Sequence, residues 1–266
     1  MFRLLKEIYQ RRELLLILIA RNLKVRYKNS ALGFFWTLLG PLFMILIYAT
    51  FASILKWDSG QPNYLQFLIV GLVVWQFLLM CLNDSLHAVV GNSNLVKRTV
   101  FPRIILPLST VTANLVNFLL TLCVLTAYLL LTRIQMHNLG FLPVVLLTQF
   151  ALCLGMALII ATANVFLRDT EHILSIVTLA WFFLSPIFYS MDLQLGQLSK
   201  ISVWSMHWIA FINPMSGLLC AYRALFMSDN SVAVNHMLIS FAVSWVLLLI
   251  GIVVFQRFQM KFGDEL

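Results

Sequence analysis

Charge is what this sequence has least of. Only 11% of its 266 residues are Asp, Glu, Lys or Arg, against 61% hydrophobic ones, a balance outside the range of soluble globular domains. The deficit is concentrated: Ala31 to Leu55 runs for 25 residues without a charge, more than the ~20 helical residues that cross a bilayer's hydrocarbon. Comparable runs follow, and together they leave no room for a soluble domain of ordinary size. Negative charge is scarcer than positive, 10 residues against 18. The excess does not indicate nucleic acid, because eight of the 18 cations fall in the first 28 residues, beside the first apolar run. Anionic headgroups or phosphorylated lipids are their natural partners. Cysteine is sparse and unpaired. Cys81, Cys123 and Cys153 sit in apolar runs, Cys220 stands apart, and no CxxC occurs, which argues against a disulfide framework or a metal site. There is no G-x-x-x-x-G-K-[ST] loop to cradle nucleotide phosphates, so any ATP-derived energy must come from another polypeptide. His87, His137, His172, His207 and His236 are scattered. No catalytic set and no metal ligands are expected.

What is present is a succession of apolar segments. Six spans are predicted: Ala31 to Leu55, Tyr64 to Asn83, Ile104 to Thr132, Leu139 to Phe166, Ile173 to Tyr189 and Met237 to Phe255. None of the six contains Asp, Glu, Lys or Arg, whereas ion-coupled carriers usually place such a residue at mid-membrane. Ile201 to Tyr222 is also uncharged, but Ser202, Ser205, His207, Asn213, Pro214, Ser216 and Gly217 break it. Irregular backbone survives at membrane depth only under protein or water. This stretch therefore reads as two short helices that dip in and return, hinged near Asn213-Pro214. With six spans and an interior N-terminus, fourteen Lys/Arg lie on the cytoplasmic side and four on the other, as the positive-inside rule expects. In the fourth span Ala151, Gly155, Ala157 and Ala161 form a stripe that permits close helix packing.

The N-terminus resembles a signal peptide only superficially, since no small-residue cleavage site follows Leu14 to Ala20. It reads better as an interfacial helix. Lys6, Gln10, Glu13, Arg21, Lys24 and Lys28 recur on one side, with Ile17 the exception; Leu5, Ile8, Leu15, Ile19 and Leu23 occupy the other. A solvated basic tail is the alternative. The predicted fold is thus an all-α membrane protein forming a single transmembrane domain, 1–266. It comprises a cytoplasmic amphipathic helix (1–29), six transmembrane helices (31–255), two re-entrant outer-face helices between spans five and six, and a cytoplasmic tail (256–266).

Particular residues go further. Ala20 to Pro41, Asn94 to Ser109 with its Phe101-Pro102-Arg103, Asn164-Val-Phe-Leu-Arg-Asp169, Ser185-Pro-Ile-Phe-Tyr189 and Asn213-Pro-Met215 through Tyr222-Arg223 stand in a fixed order along the chain. The set resembles the permease subunits of type-2 ABC exporters, most closely the polysaccharide branch that exports O-antigen, capsule or teichoic acid. That resemblance implies a bacterial inner-membrane homodimer, with both termini cytoplasmic, paired with two cytoplasmic ABC ATPase subunits. ATP and Mg would belong to those subunits, and the chain itself would carry no cofactor and bind no nucleic acid. It also implies that Asn92, Asn94, Leu95, Lys97, Arg98 and Phe101 form the coupling segment seated on the ATPase, with Arg168 and Asp169 facing it. An ordinary basic loop, and a simple cap on span five, are the alternatives.

A lipid-linked glycan on a pyrophosphate carrier is the implied cargo, and Arg21, Lys24, Arg26 and Lys28 would hold its headgroup at a lateral entrance. Simple orientation by positive charge competes with that role. Aromatics make up 13% of the chain, and Trp36, Tyr48, Phe182 and Tyr189 are the candidates to line a channel for sliding sugar rings. Interfacial belts and core packing are the competing use. Other readings of the whole are a type-2 permease for drugs or small amphiphiles, and a membrane-embedded enzyme acting on lipid-linked sugars.

Overall fold

The computed structural model describes residues 2–27, 39–40, 42–44, 46–47, 50, 63–99, 101–136, 139–167, 169–190, 212–227 and 234–266, with the side chains of 2–5, 26–27 and 234–235 excepted. Every regular element among them is helical. Most of the first predicted span, Ala31 to Leu55, lies outside the described residues, as does the first of the two dipping helices.

The N-terminal segment is two helices, α1 (Phe2–Gln10) and α2 (Arg12–Tyr27), separated at Arg11. Their sidedness follows the sequence pattern. Lys6, Gln10, Glu13, Arg21 and Lys24 are exposed, whereas Ile8 and Leu15 pack on the bundle and Leu18 is buried. Ile17 points away, as do Leu16 and Val25.

Among the described residues, four helical stretches are long and apolar enough to cross a membrane: Tyr64–Val90, Ile105–Leu131, Leu139–Phe166 and His236–Glu265. They contain α3 (Tyr64–Val90), α5 (Ile105–Leu131), α6 (Leu142–Phe166, after a 3-10 turn Leu139–Phe141) and α9 (Val234–Phe258). Between them lie α4 (Ser93–Arg98), α7 (Thr170–Leu184) and α8 (Pro214–Met227), and α10 (Phe262–Glu265) ends the chain. Helix α3 is hydrophobic around most of its circumference, and a helix of that kind belongs in a core. It is indeed the axis of the bundle, buried from Phe67 to Trp75.

The predicted fifth span, Ile173 to Tyr189, corresponds to the shorter α7. Proline at 186 disfavours helical backbone at its predecessor, and Ser185 is extended with ψ 144°. Only Thr170, Leu174 and Thr178 of α7 are buried. Helix α8, by contrast, is buried along nearly its whole length. It starts where the hinge was predicted: Asn213 Oδ1 accepts the Met215 N–H at 3.0 Å as an N-cap, and Pro214 occupies the first helical position.

Two apolar clusters fill the bundle. The larger runs along α3 from Leu68 to Leu86 and joins residues of α5 from Val111 to Leu129, of α6 from Val145 to Ile160, Ile187 after α7, and α8 from Met215 to Phe226. The smaller joins Leu18, Val89, Val96, Ile104, Leu158, Val165, Phe255 and Phe262. Around the smaller cluster stand Lys24, Lys97, Arg98, Arg103, Arg257 and Lys261, so it is termed the basic end. Helices α6 and α9 run parallel toward that end, and α7 ends where α9 begins, at the far end.

Helix packing inside lipid gains little from water exclusion and relies on close contact. The small-residue stripe of α6 supplies it. A Cβ built on Gly155 would lie 2.7 Å from the Leu247 carbonyl and from the Leu248 Cα, and one on Gly251 would strike the Gly155 backbone. The two helices therefore touch main chain to main chain. A second tight crossing brings Gly217 of α8 onto Ser240 of α9, where the Gly217 N–H donates to Ser240 Oγ at 3.1 Å.

Candidate functional site

A groove runs along α3 from mid-bundle to the basic end. Its upper part is a cavity of about 400 Å³ walled by Trp75, Gln76 and Asn83 of α3 and by Ser175, Thr178 and Phe182 of α7. Asn83 and Ser175 also line the lower part, a cleft of about 900 Å³ between α2, α3, α5 and α7, so the two are continuous. Aromatic packing shapes the upper wall. Trp75 lies 5.5 Å from Phe182 and 5.8 Å, edge-on, from Trp181, and Phe182 in turn meets Phe188 at 5.3 Å. Of the predicted channel aromatics, Phe182 is on this wall. Tyr189 turns its hydroxyl back to the Phe183 carbonyl at 2.7 Å, and Trp36 and Tyr48 lie outside the described residues. Trp75, not one of the four candidates, forms the facing side of that wall.

The lower cleft is polar. Arg21 Nη2 donates to Asn92 Oδ1 at 2.8 Å, and Asn92 Nδ2 donates to the Ala88 carbonyl at 2.8 Å, capping the end of α3. The guanidinium thus ties the N-terminal helix to the residue that opens α4. Asp84 faces the same cleft and accepts from the buried Asn114 Nδ2 at 2.8 Å. His87 and Glu171 approach to 4.0 Å on its rim. Lys24 is exposed beside Arg21. The Arg26 side chain and Lys28 lie outside the described residues. Of the predicted cationic set, then, Arg21 is placed in the cleft, together with the carboxylates of Asp84 and Glu171.

The predicted coupling residues form a short rod. Val96 is buried and Leu95 half-buried against the bundle, while Asn94, Lys97 and Arg98 are exposed. Thr99 is exposed as well, and its Oγ1 donates to the Leu95 carbonyl at 2.6 Å and closes the turn, after which the backbone becomes extended. Phe101 is half-buried beneath it. Asp169 is exposed at the start of α7 and makes no capping bond through its side chain, and Arg168 lies outside the described residues.

One feature of the far end was not legible in the sequence. Arg223, on α8, is 2% exposed. Its Nη1 donates to the Pro186 carbonyl at 2.6 Å and its Nη2 to Ile187 at 2.8 Å and Phe67 at 3.4 Å. The guanidinium carbon stands 3.3 Å from the centre of the Phe67 ring, a cation–π contact. Gly71 leaves room for it, since a Cβ there would lie 2.7 Å from Nη2. Next to it the Tyr222 hydroxyl donates to Gln149 Oε1 at 2.6 Å, and Gln149 Nε2 donates to the Val74 carbonyl at 2.9 Å. Asn213 joins the group, accepting from Trp181 Nε1 at 2.8 Å and donating to Ser185 Oγ at 3.0 Å. The only sequence signal for this network was the family pattern through Tyr222-Arg223.

Apolar spanning helices enclosing a polar groove, with a basic end where the short helices gather, define a multi-pass membrane protein. Residues 13–227 match the ABC-2 type transporter family, and the chain belongs to that family. Among curated proteins it is similar to an O-antigen export system permease protein RfbA of Myxococcus xanthus, 32% identical over 267 residues covering 100% of both chains. It is also similar to a protein of the same name from Klebsiella pneumoniae, 31% identical over 256 residues, 96% of this chain and 95% of that one. A second Klebsiella pneumoniae protein of that name is 30% identical over the same shares.

Proposed function

We propose that this chain is the membrane subunit of an ATP-driven exporter that moves a lipid-linked, O-antigen-like polysaccharide across a bacterial inner membrane. The observation that carries the reading is the continuous groove along α3. It offers a cation at its basic end, amide and hydroxyl side chains along its length, and the Trp75–Phe182 wall above. Phosphate binds the first, sugar hydroxyls suit the second, and the apolar faces of sugar rings suit the third. End-to-end similarity to two or more permeases named for O-antigen export supports the cargo class.

Six spans are proposed, with the segment between α7 and α9 re-entering at the outer face. The return of that segment to the end it left supports this count. The basic end is taken as cytoplasmic on the positive-inside rule. Two copies would face each other, each closing the open side of the other's groove. Two ATPase subunits, holding ATP and Mg, would bind at the basic end through α4 and the start of α7. Arg21 would receive the pyrophosphate, with Lys24, Arg26 and Lys28 raising the local positive potential.

The test is surface-glycan display in a strain deleted for the gene and complemented with variants. Wild type restores display; Arg21→Glu and Arg26→Glu insert normally and lower it about tenfold. Normal display by both inserted variants would overturn the headgroup role. Loss of drug resistance with intact surface glycan on deletion would overturn the cargo assignment.

A further inference from the structure

We propose that the ATPase seat is composite: both ends of the chain, in addition to the coupling segment, form a concave basic socket that receives an acidic protrusion of the ATPase subunit. The inference deepens the function proposed above and rests on it. A groove of about 870 Å³ at the basic end is lined by Gln10 and Arg11 of the N-terminal helices, by Lys97, Arg98 and Arg103, and by Gln256, Gln259 and Met260 of the C-terminal segment. Three regions far apart in sequence thus build one wall.

The C-terminal part is anchored. Phe262 is fully buried among Phe255 and Phe166, with its ring 5.3 Å from the former and 6.1 Å from the latter. Arg103, at the start of α5, donates to the Gln259 carbonyl. These contacts hold residues 259–262 beside α4. Met260 is nonetheless 80% exposed, a large apolar side chain held at the rim by its buried neighbours.

Four cations against the single carboxylate of Glu7 give the socket its sign, and like charge so gathered calls for an acidic partner. Its shape selects the class. A membrane surface is planar and meets convex cationic faces, whereas this one is concave. The adaptable Met260 at its edge suits an apolar contact on the same protrusion.

Photocrosslinking in the intact complex tests the proposal. A photoreactive amino acid is placed at Lys97, at Met260 or at the far-end control Gln135, in tagged full-length protein expressed with its cognate ATPase subunit. The proposal expects adducts with that subunit from Lys97 and Met260, mapping to one Asp/Glu-rich segment, and none from Gln135. It also expects Arg11→Glu and Met260→Asp each to lower recovery of ATPase activity with the tagged chain by about tenfold. An ATPase adduct from Lys97 but not from Met260, with full recovery for both variants, would overturn the composite socket and leave the function proposed above intact. No ATPase adduct from either site would overturn both. A Met260 adduct with phospholipid, or with a second copy of the chain, would overturn the socket as an ATPase seat.

Discussion

At the scale of single residues, Arg223 has the most to lose. A guanidinium removed from water is tolerable only if its hydrogen bonds are replaced, and here main-chain carbonyls of three residues and an aromatic face replace them. The same bonds fix the turn after α7 against α3 and α8, so stability and the geometry of the far end share one side chain. Arg223→Leu removes the guanidinium donor from those carbonyls. It should lower the melting temperature of the detergent-solubilised protein by roughly 5–10 °C, while Arg223→Lys, which restores one point charge and part of the bonding, should lose less. Equal melting of Arg223→Leu and wild type would show that the clasp contributes nothing. Sequence inspection counts Arg223 only as an outer-side cation, because its acceptors, Phe67, Pro186 and Ile187, are 36 or more positions away. Asp84 was hidden for the same reason: only Asn114, thirty residues on, shows what it does.

At the scale of elements, most of the helices were legible. An uncharged run of span length has few alternatives in lipid, so the helices that became α3, α5, α6 and α9 appear where hydropathy put them. Their ends were less so. The second predicted span stops at Asn83, yet α3 continues to Val90, because backbone bonding does not stop where the apolar residues do. The fifth shortens through Pro186, and the N-terminal helix breaks at Arg11, where no proline or glycine warned of it. Helix crossings were legible in one case, the small residues of α6. Since Gly155 and Gly251 press backbone on backbone, even a methyl group has nowhere to go. Gly155→Ala and Gly251→Ala should each cost about 1–3 kcal/mol, read as lower melting temperature and lower yield. Gly140→Ala, which meets nothing within 4 Å, should leave both unchanged. Tolerance of both crossing substitutions would mean that α6 and α9 are not in contact as described.

At the scale of the whole molecule, the decisive property is which end faces the cytoplasm. Cys123 is the one exposed native cysteine among the described residues, so its replacement by Ser gives a usable background. In that background a membrane-impermeant thiol reagent should label Gln135→Cys in spheroplasts and reach Asn94→Cys only after the membrane is opened. The reverse pattern would invert the proposed orientation and remove α4 from any cytoplasmic motor. For orientation the sequence supplies an expectation, through the tally of cations. The gathering of both termini at one socket was not legible there, because nothing in the composition of residues 256–266 marks them as neighbours of Lys97.

The backbone crossing of α6 and α9 limits how such a machine can work. With α8 pinned to α9 through Gly217 and Ser240, those three helices make a keel that can tilt but cannot splay. Helix α7, with only three fully buried side chains, is held mainly by Trp181 and Phe182 at its far end and would be the element to move. A push delivered at the basic end would leave the keel's internal spacing untouched and appear as sliding of Phe182 past Trp75.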